Sequence, residues 1–68
     1  MMTGTVRFFN ADYGYGSISP LRGGIDAAVY LAAVHRAGWT TLERDQTVRY
    51  DLSIDRNGKL SAINLEAA

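Results

Sequence analysis

The sequence predicts a small domain composed mainly of short β-strands. Glycines recur every few positions along its 68 residues, a spacing that is typical of strands joined by turns. From Val48 to Asp55, apolar and polar residues alternate strictly, which predicts a strand with one buried face and one solvent-facing face. The dipeptide Asn57-Gly58 follows, and this pair is the strongest short-range signal for a β-hairpin.

Two strands are predicted in the N-terminal third. Thr3 to Asn10 contains a valine and two phenylalanines, which favour extended structure. In the second strand, Tyr15 to Pro20, side chains alternate between the two faces. We therefore expect Tyr15 and the two serines on one face, with Gly16 and Ile18 on the other.

The middle of the chain favours a helix when it is judged by local propensity alone. From Asp26 to Gly38 the segment is rich in alanine, a strong helix former. Asp26 suits the N-cap, Arg36 suits the last turn, and Gly38 suits the position just after a helix.

The last third is predicted to form a hairpin. Its first strand spans Thr47 to Asp55, and four apolar side chains are expected on the buried face: Val48, Tyr50, Leu52 and Ile54. Asn57 and Gly58 both tolerate positive φ in the turn. The return strand spans Leu60 to Leu65, with Ile63 and Leu65 expected on one face.

Composition excludes several classes of protein. The absence of cysteine excludes disulfide frameworks and thiolate metal sites, and one histidine cannot build a histidine-rich zinc site. No apolar run approaches the ~18 residues of a membrane helix. Met1 to Phe9 lacks the apolar core of a signal peptide. We therefore expect residues 1–68 to form a single cytoplasmic domain without metal or cofactor.

The charge balance argues against a function that rests on bulk charge. Seven basic and seven acidic residues give a formal net charge of zero, whereas nucleic-acid-binding domains usually carry a basic excess. No serine, carboxylate and His35 set shows the spacing of a nucleophile elbow, so no enzymatic activity is expected.

Two short segments combine aromatic residues with glycines. The first runs from Arg7 to Ile18, and the second from Asp26 to Tyr30. Aromatic rings on the outer face of a sheet are explained if nucleic-acid bases stack on them, at ~1–3 kcal/mol per base. Alternatively, each of these aromatic side chains could be buried in the hydrophobic core.

The pattern as a whole resembles the bacterial cold-shock domain. Thr3 to Asn10 is similar to the family's opening strand, TG-x-VKWFN, and Tyr13 to Ile18 to its first ribonucleoprotein motif, KGFGFI. Asp26 to Tyr30 is similar to the second motif, DVFVH. Gln46 to Tyr50 and Ala62 to Leu65 resemble the fourth strand and the closing segment.

This resemblance implies an all-β fold, a five-stranded antiparallel barrel of the OB type with a short helical turn after the third strand. In the family register, Ala27 to Leu31 is that strand and Ala32 to Val34 is the turn. Tertiary contacts would then outweigh the local propensity that favours a long helix.

The chain departs from the family pattern on the expected binding face. Tyr13 replaces a lysine, whereas Ser17 and Ala28 each replace a phenylalanine. These two small residues would lie side by side on adjacent strands and leave a gap among the stacking rings. At ~1–3 kcal/mol for each lost ring, affinity would fall by ~10²-fold or more.

The resemblance implies a protein that binds single-stranded RNA or DNA, weakly for its family and in the manner of an RNA chaperone. The residues expected to bind are Arg7, Phe8, Phe9, Asn10, Tyr13, Tyr15, Tyr30, Trp39 and Lys59. Trp39 could instead fill the core. The alternative function is protein–protein contact or self-association, and we expect a monomer or a weak homodimer.

Overall fold

Five β-strands and one short helix follow one another in the computed structural model, which describes residues 1–68. In chain order they are β1 (Met2–Asn10), β2 (Tyr15–Pro20), β3 (Ala27–Tyr30), α1 (Leu31–Arg36), β4 (Thr47–Ile54) and β5 (Leu60–Ala67). The strands close into a barrel in the order β1-β2-β3-β5-β4, with β4 returning to β1. β3 and β5 pair in parallel, and the other pairings are antiparallel. The predicted five-stranded OB-type barrel is confirmed.

The interior of the barrel is filled by apolar side chains from every strand. Six side chains are completely buried: Val6, Ile18, Val29, Val34, Val48 and Tyr50. Ala27, Leu42, Ala62 and Leu65 complete the core, and no charged residue is buried. α1 packs against β3 and β5 and inserts Val34 among these side chains. No helix in the structure has the length and apolarity needed to cross a lipid bilayer.

The alanine-rich middle begins as a strand, as the family register predicts. β3 alternates between buried and outward residues, and it hydrogen-bonds to β2 on one side and β5 on the other. Asp26 therefore does not cap a helix. Burial of Ala27 and Val29 and pairing on both edges outweigh the helical propensity of alanine.

The helical part is longer than the family register predicts. Leu31, expected as the last residue of the third strand, is the first residue of α1, and the helix continues past Val34 to Arg36. Its N-cap residue is Tyr30, whose side chain makes no capping hydrogen bond. The predicted glycine lies just after the C-cap residue Ala37: Gly38 adopts φ 87°, and its N–H donates to the His35 carbonyl.

The apolar stripe of β4 is buried over only half of its length. Val48 and Tyr50 are completely buried, but Leu52 is 40% exposed and Ile54 is 69% exposed. The expectation of a continuous buried face was wrong. β1 pairs with β4 only as far as Tyr50, so the rest of β4 extends past the end of the barrel with β5 as its single partner.

The faces of β5 also differ from the prediction. Ala62 and Leu65 are buried, whereas Ile63 lies opposite Asp51 and is only partly buried. Asn64 adopts φ 53° where the β4–β5 register shifts. This irregularity inserts an extra residue and reverses the alternation, so Ile63 and Leu65 do not share a face.

The predicted hairpin turn is confirmed with a different geometry. Only Gly58 has positive φ, at 78°. Its N–H donates to the Asp55 carbonyl at 3.0 Å, and the Asp55 N–H donates to the Lys59 carbonyl at 2.9 Å. The Asp55 carboxylate also accepts from the backbone N–H groups of Asn57 and Lys59. The loop is therefore three residues long, with the glycine at its left-handed position.

Candidate nucleic-acid interface

Four aromatic side chains are exposed on the outer side of β1, β2 and the turn and strand beside them. Phe8, Tyr13, Tyr15 and Tyr30 are between 41% and 75% exposed, and together they are called the aromatic face here. Their exposure is unusual for such large rings in so small a domain, because burial of each would stabilise the fold. Contiguous exposed surface of this kind marks a binding site more often than an isolated ring does.

Tyr15 lies at the centre of this group. Phe8 and Tyr15 form an edge-to-face pair, with ring centroids 6.0 Å apart and ring planes at 83°. Tyr13 stacks on Tyr15 at 6.2 Å and 18°. Across the β2–β3 pairing, Tyr15 lies directly opposite Tyr30. These contacts are the arrangements that aromatic pairs prefer, so they hold the rings in position while their other surfaces stay open.

Gly16 allows β1 and β2 to approach closely enough to align these rings. A Cβ atom at this position would collide with the Phe8 carbonyl oxygen and lie 2.8 Å from the Phe9 Cα. The β1 register also shifts between Val6 and Phe8. As a result, the consecutive residues Arg7 and Phe8 are both exposed instead of alternating between faces.

Asn10 shapes the turn that presents Tyr13. Its side-chain oxygen accepts from the backbone N–H groups of Asp12 and Tyr13, at 2.9 and 3.1 Å. Gly14 follows with φ 82°, and its carbonyl accepts from the Leu31 N–H at the start of α1. The β1–β2 turn is thus tied to the helix, and Asn10 supports the aromatic face through the backbone.

A recess lies beside these rings where β2 and β3 carry the small side chains of Ser17 and Ala28. The two residues are direct partners in the β2–β3 register, and Phe8 is the partner of Ser17 on the other side. The prediction that Ser17 and Ala28 lie side by side is confirmed. The recess has a volume of about 650 Å³. Its lining also includes Tyr15, Tyr30, Ile25, Asp26, Lys59 and Leu60.

The basic side chains are free to meet phosphate despite the zero net charge. The structure contains one ion pair, between the N-terminal ammonium and the Asp51 carboxylate at 3.7 Å. Lys59 lines the recess next to the aromatic face. Arg7 lies in a second groove, of about 360 Å³, which it shares with Arg44 and Asp45.

Other predicted binding residues lie closer to the core. Phe9 and Trp39 are partly buried and pack against the core residues. The Trp39 N–H donates to the Val34 carbonyl at 3.1 Å, just after α1. The structure thus brings Phe8, Tyr13, Tyr15, Tyr30 and Lys59 together. Arg7, Phe9 and Asn10 are their neighbours on β1, whereas Trp39 packs against the core after α1.

The residues of these two grooves that were not predicted to bind include Ile25, Asp26 and Leu60 in the recess and Arg44 in the second groove. Their signal in the sequence is weak, because they lie in loops or at the start of a strand. Ile25 and Asp26 directly precede β3, whereas only the closure of the barrel brings Leu60 and Arg44 beside the first three strands.

Comparison with known proteins agrees with the architecture. Residues 2–68 match the model of the "Cold-shock" DNA-binding domain. The chain is 48% identical to a probable cold shock protein of Sinorhizobium fredii, over 98% of this chain and 99% of that protein. It is 46% identical to cold shock protein CspA of Rhizobium meliloti over the full length of both chains, and 38% identical to cold shock-like protein CspB of Escherichia coli over 90% of this chain and 86% of that protein. The chain therefore belongs to the cold-shock DNA-binding domain family.

Proposed function

We propose that this protein binds single-stranded RNA or DNA by stacking bases on the aromatic face. The observation that carries the proposal is the contact of three exposed rings, Phe8, Tyr13 and Tyr15, with Tyr30 opposite on the next strand. Bases of any sequence offer a flat π-surface to such rings, at ~1–3 kcal/mol per base. A surface of this kind suits unpaired strands, whose bases are free to leave their own stack.

Binding is weaker than a fully aromatic face would provide. Ser17 and Ala28 lie in one row with Phe8, so the missing rings would have stood next to the existing ones. Two lost stacking partners correspond to ~10²-fold or more in affinity. Such binding suits an RNA chaperone, which captures bases as they open and releases them again.

Positively charged side chains complete the interface at its edges. Lys59 borders the recess, and Arg7 lies on β1 next to Phe8. Neither forms an ion pair within the protein, so each can meet a backbone phosphate without first breaking a contact. Phe9, Asn10 and Trp39 belong to the same proposal as residues that support the rings or meet the strand at its ends.

Titration of fluorescently labelled heptathymidine at low salt, followed by anisotropy, tests the proposal. We expect saturable binding that weakens by about 5- to 100-fold in Tyr15→Ala, since each stacked base contributes ~1–3 kcal/mol. His35→Ala is the matched control, because this exposed ring lies on α1 and lines neither groove. The control should bind like the wild type.

The proposal fails if the wild type shows no anisotropy change at about 100 µM protein, the weak end of ordinary non-specific binding. Light scattering on the same samples examines the alternative. A stable dimer that ignores the oligonucleotide would assign the aromatic face to self-association instead.

A further inference from the structure

The recess beside the aromatic face has its own chemistry. Its floor is the Ser17–Ala28 pair, and Tyr15 and Tyr30 stand two residues further along the same strands. Ile25 from the loop before β3 adds an apolar wall. The volume of about 650 Å³ falls within the ~300–1,000 Å³ of ordinary small-molecule pockets. The recess is therefore large enough for a base to enter it, whereas a flat aromatic ring would only allow the base to stack on its surface.

Polar groups in this recess are available to a ligand. The Ser17 hydroxyl and the Asp26 carboxylate take no part in the side-chain hydrogen bonds of the protein. Asp26 is also outside the single ion pair. A hydroxyl can donate and accept, whereas an ionised carboxylate only accepts. The recess thus combines aromatic and apolar walls with an acceptor at its edge, which is the usual composition of a selective pocket.

We propose that this recess receives a purine base of the bound strand, with guanine preferred to adenine. The inference rests on the proposed function and adds a base preference at one position. A purine has two fused rings, so it fills the space of the two absent phenyl rings more completely than a pyrimidine and buries more apolar surface. Guanine also carries two adjacent N–H donors on its Watson–Crick edge, which match the two oxygens of the Asp26 carboxylate. Adenine lacks that pair of donors.

The test is a scan of heptathymidine in which one thymine at a time is replaced by guanine, adenine or cytosine. We expect guanine at one position to strengthen binding by about fivefold or more over thymine, the equivalent of one additional modest stacking contact. Adenine at that position should give a smaller gain, and cytosine none.

Three variants connect the preference to the recess. Refilling it with Ser17→Phe and Ala28→Phe together should abolish the purine gain while heptathymidine binding is kept or improved. Asp26→Asn should reduce the advantage of guanine over adenine but leave the advantage of purines over thymine. Ser19→Phe is the control: it adds a ring to the same face of β2 in the second groove, outside the recess, so the purine preference should persist whatever the change in overall affinity. Thermal melting confirms that each variant is folded.

The outcomes separate this inference from the proposed function. If heptathymidine binds but no position gains from a purine, the recess proposal is overturned and the stacking function stands. A purine gain that persists in the refilled variant also overturns it. If no strand of any composition binds, both are overturned. A purine gain at one position that disappears on refilling, while heptathymidine binding is retained, supports both.

Discussion

The Tyr50 hydroxyl is a buried polar group without a hydrogen-bond partner. The side chain is completely buried in the barrel, and its ring lies against Gly4, where a Cβ atom would be 2.9 Å from a Tyr50 ring carbon. An unpaired buried donor costs ~1–3 kcal/mol, so the hydroxyl weakens the core that its ring stabilises.

Removal of this hydroxyl should therefore stabilise the protein. We expect Tyr50→Phe to raise the free energy of unfolding by about 1 kcal/mol at neutral pH, because the ring is kept and the unpaired donor is lost. Urea denaturation followed by Trp39 fluorescence measures the change. A loss of stability in the variant would contradict the prediction and indicate that the hydroxyl has a stabilising partner.

The same group predicts a pH dependence in the alkaline range. Burial, and secondarily the negative charge of Asp26, raise the pKa of Tyr50 above its usual value of 10.0. The folded state therefore holds this proton more tightly than the unfolded state. The stability that this bound proton contributes to the folded state is complete below pH ~10 and is lost as the pH rises through the folded-state pKa. The gap in stability between Tyr50→Phe and the wild type should widen on going from neutral pH to pH ~11.

At the scale of the element, β4 shows that an alternating pattern does not guarantee burial. Val48 and Ile54 belong to the same apolar stripe, yet one is completely buried and the other is 69% exposed. The difference arises from the neighbour: β1 covers the first half of β4 and does not reach the second. Where β4 extends past the end of the barrel, its sequence still alternates, but β1 no longer covers its apolar side chains.

Truncation of these two residues should separate the halves of the strand. We expect Val48→Ala to lower the free energy of unfolding by about 2 kcal/mol, which is the order of a fully buried valine side chain. Ile54→Ala should change it by less than about 0.5 kcal/mol, as is usual for exposed positions. Equal losses in the two variants, measured by urea denaturation, would contradict the described end of the barrel.

At the scale of the whole molecule, the small number of basic side chains at the proposed interface determines how binding responds to salt. Affinity for single strands falls with salt in proportion to the number of phosphates that the protein neutralises, with a slope of about −0.7 per contact. Arg7 and Lys59 are the basic residues at the proposed interface, and Arg44 lies in the adjoining groove. Binding that depends on stacking should therefore vary only modestly with ionic strength.

We expect a plot of log affinity against log salt concentration to have a slope between about −0.7 and −2, for one to three phosphate contacts. Anisotropy titrations of heptathymidine at several salt concentrations give this slope. Lys59→Gln should make it shallower by about 0.7 if this side chain meets a phosphate. A slope steeper than about −4 would show that charge, and not stacking, dominates binding.

Sequence alone predicted much of the architecture and part of the interface. Alternation in β2 placed Tyr15 and Ser17 on one face and Ile18 on the other, and the burial pattern agrees. These assignments succeeded because they depend on local periodicity. The position of Ile25 and Leu60 beside the same face was not predictable, since each lies where a long-range contact decides its environment.

The sequence by itself determined four of the five strands and the hairpin. With the family pattern it also determined the third strand and the row in which Ser17 and Ala28 replace rings. Those features follow from side-chain spacing and from motifs that are continuous along the chain. Only the tertiary structure decided where the alanine-rich segment changes from strand to helix and how far β4 is covered. It also showed that the Ser17–Ala28 pair forms part of a recess that has Asp26 at its edge. The physical reason is closure of the barrel, which brings distant segments into contact and so determines burial that no local pattern encodes.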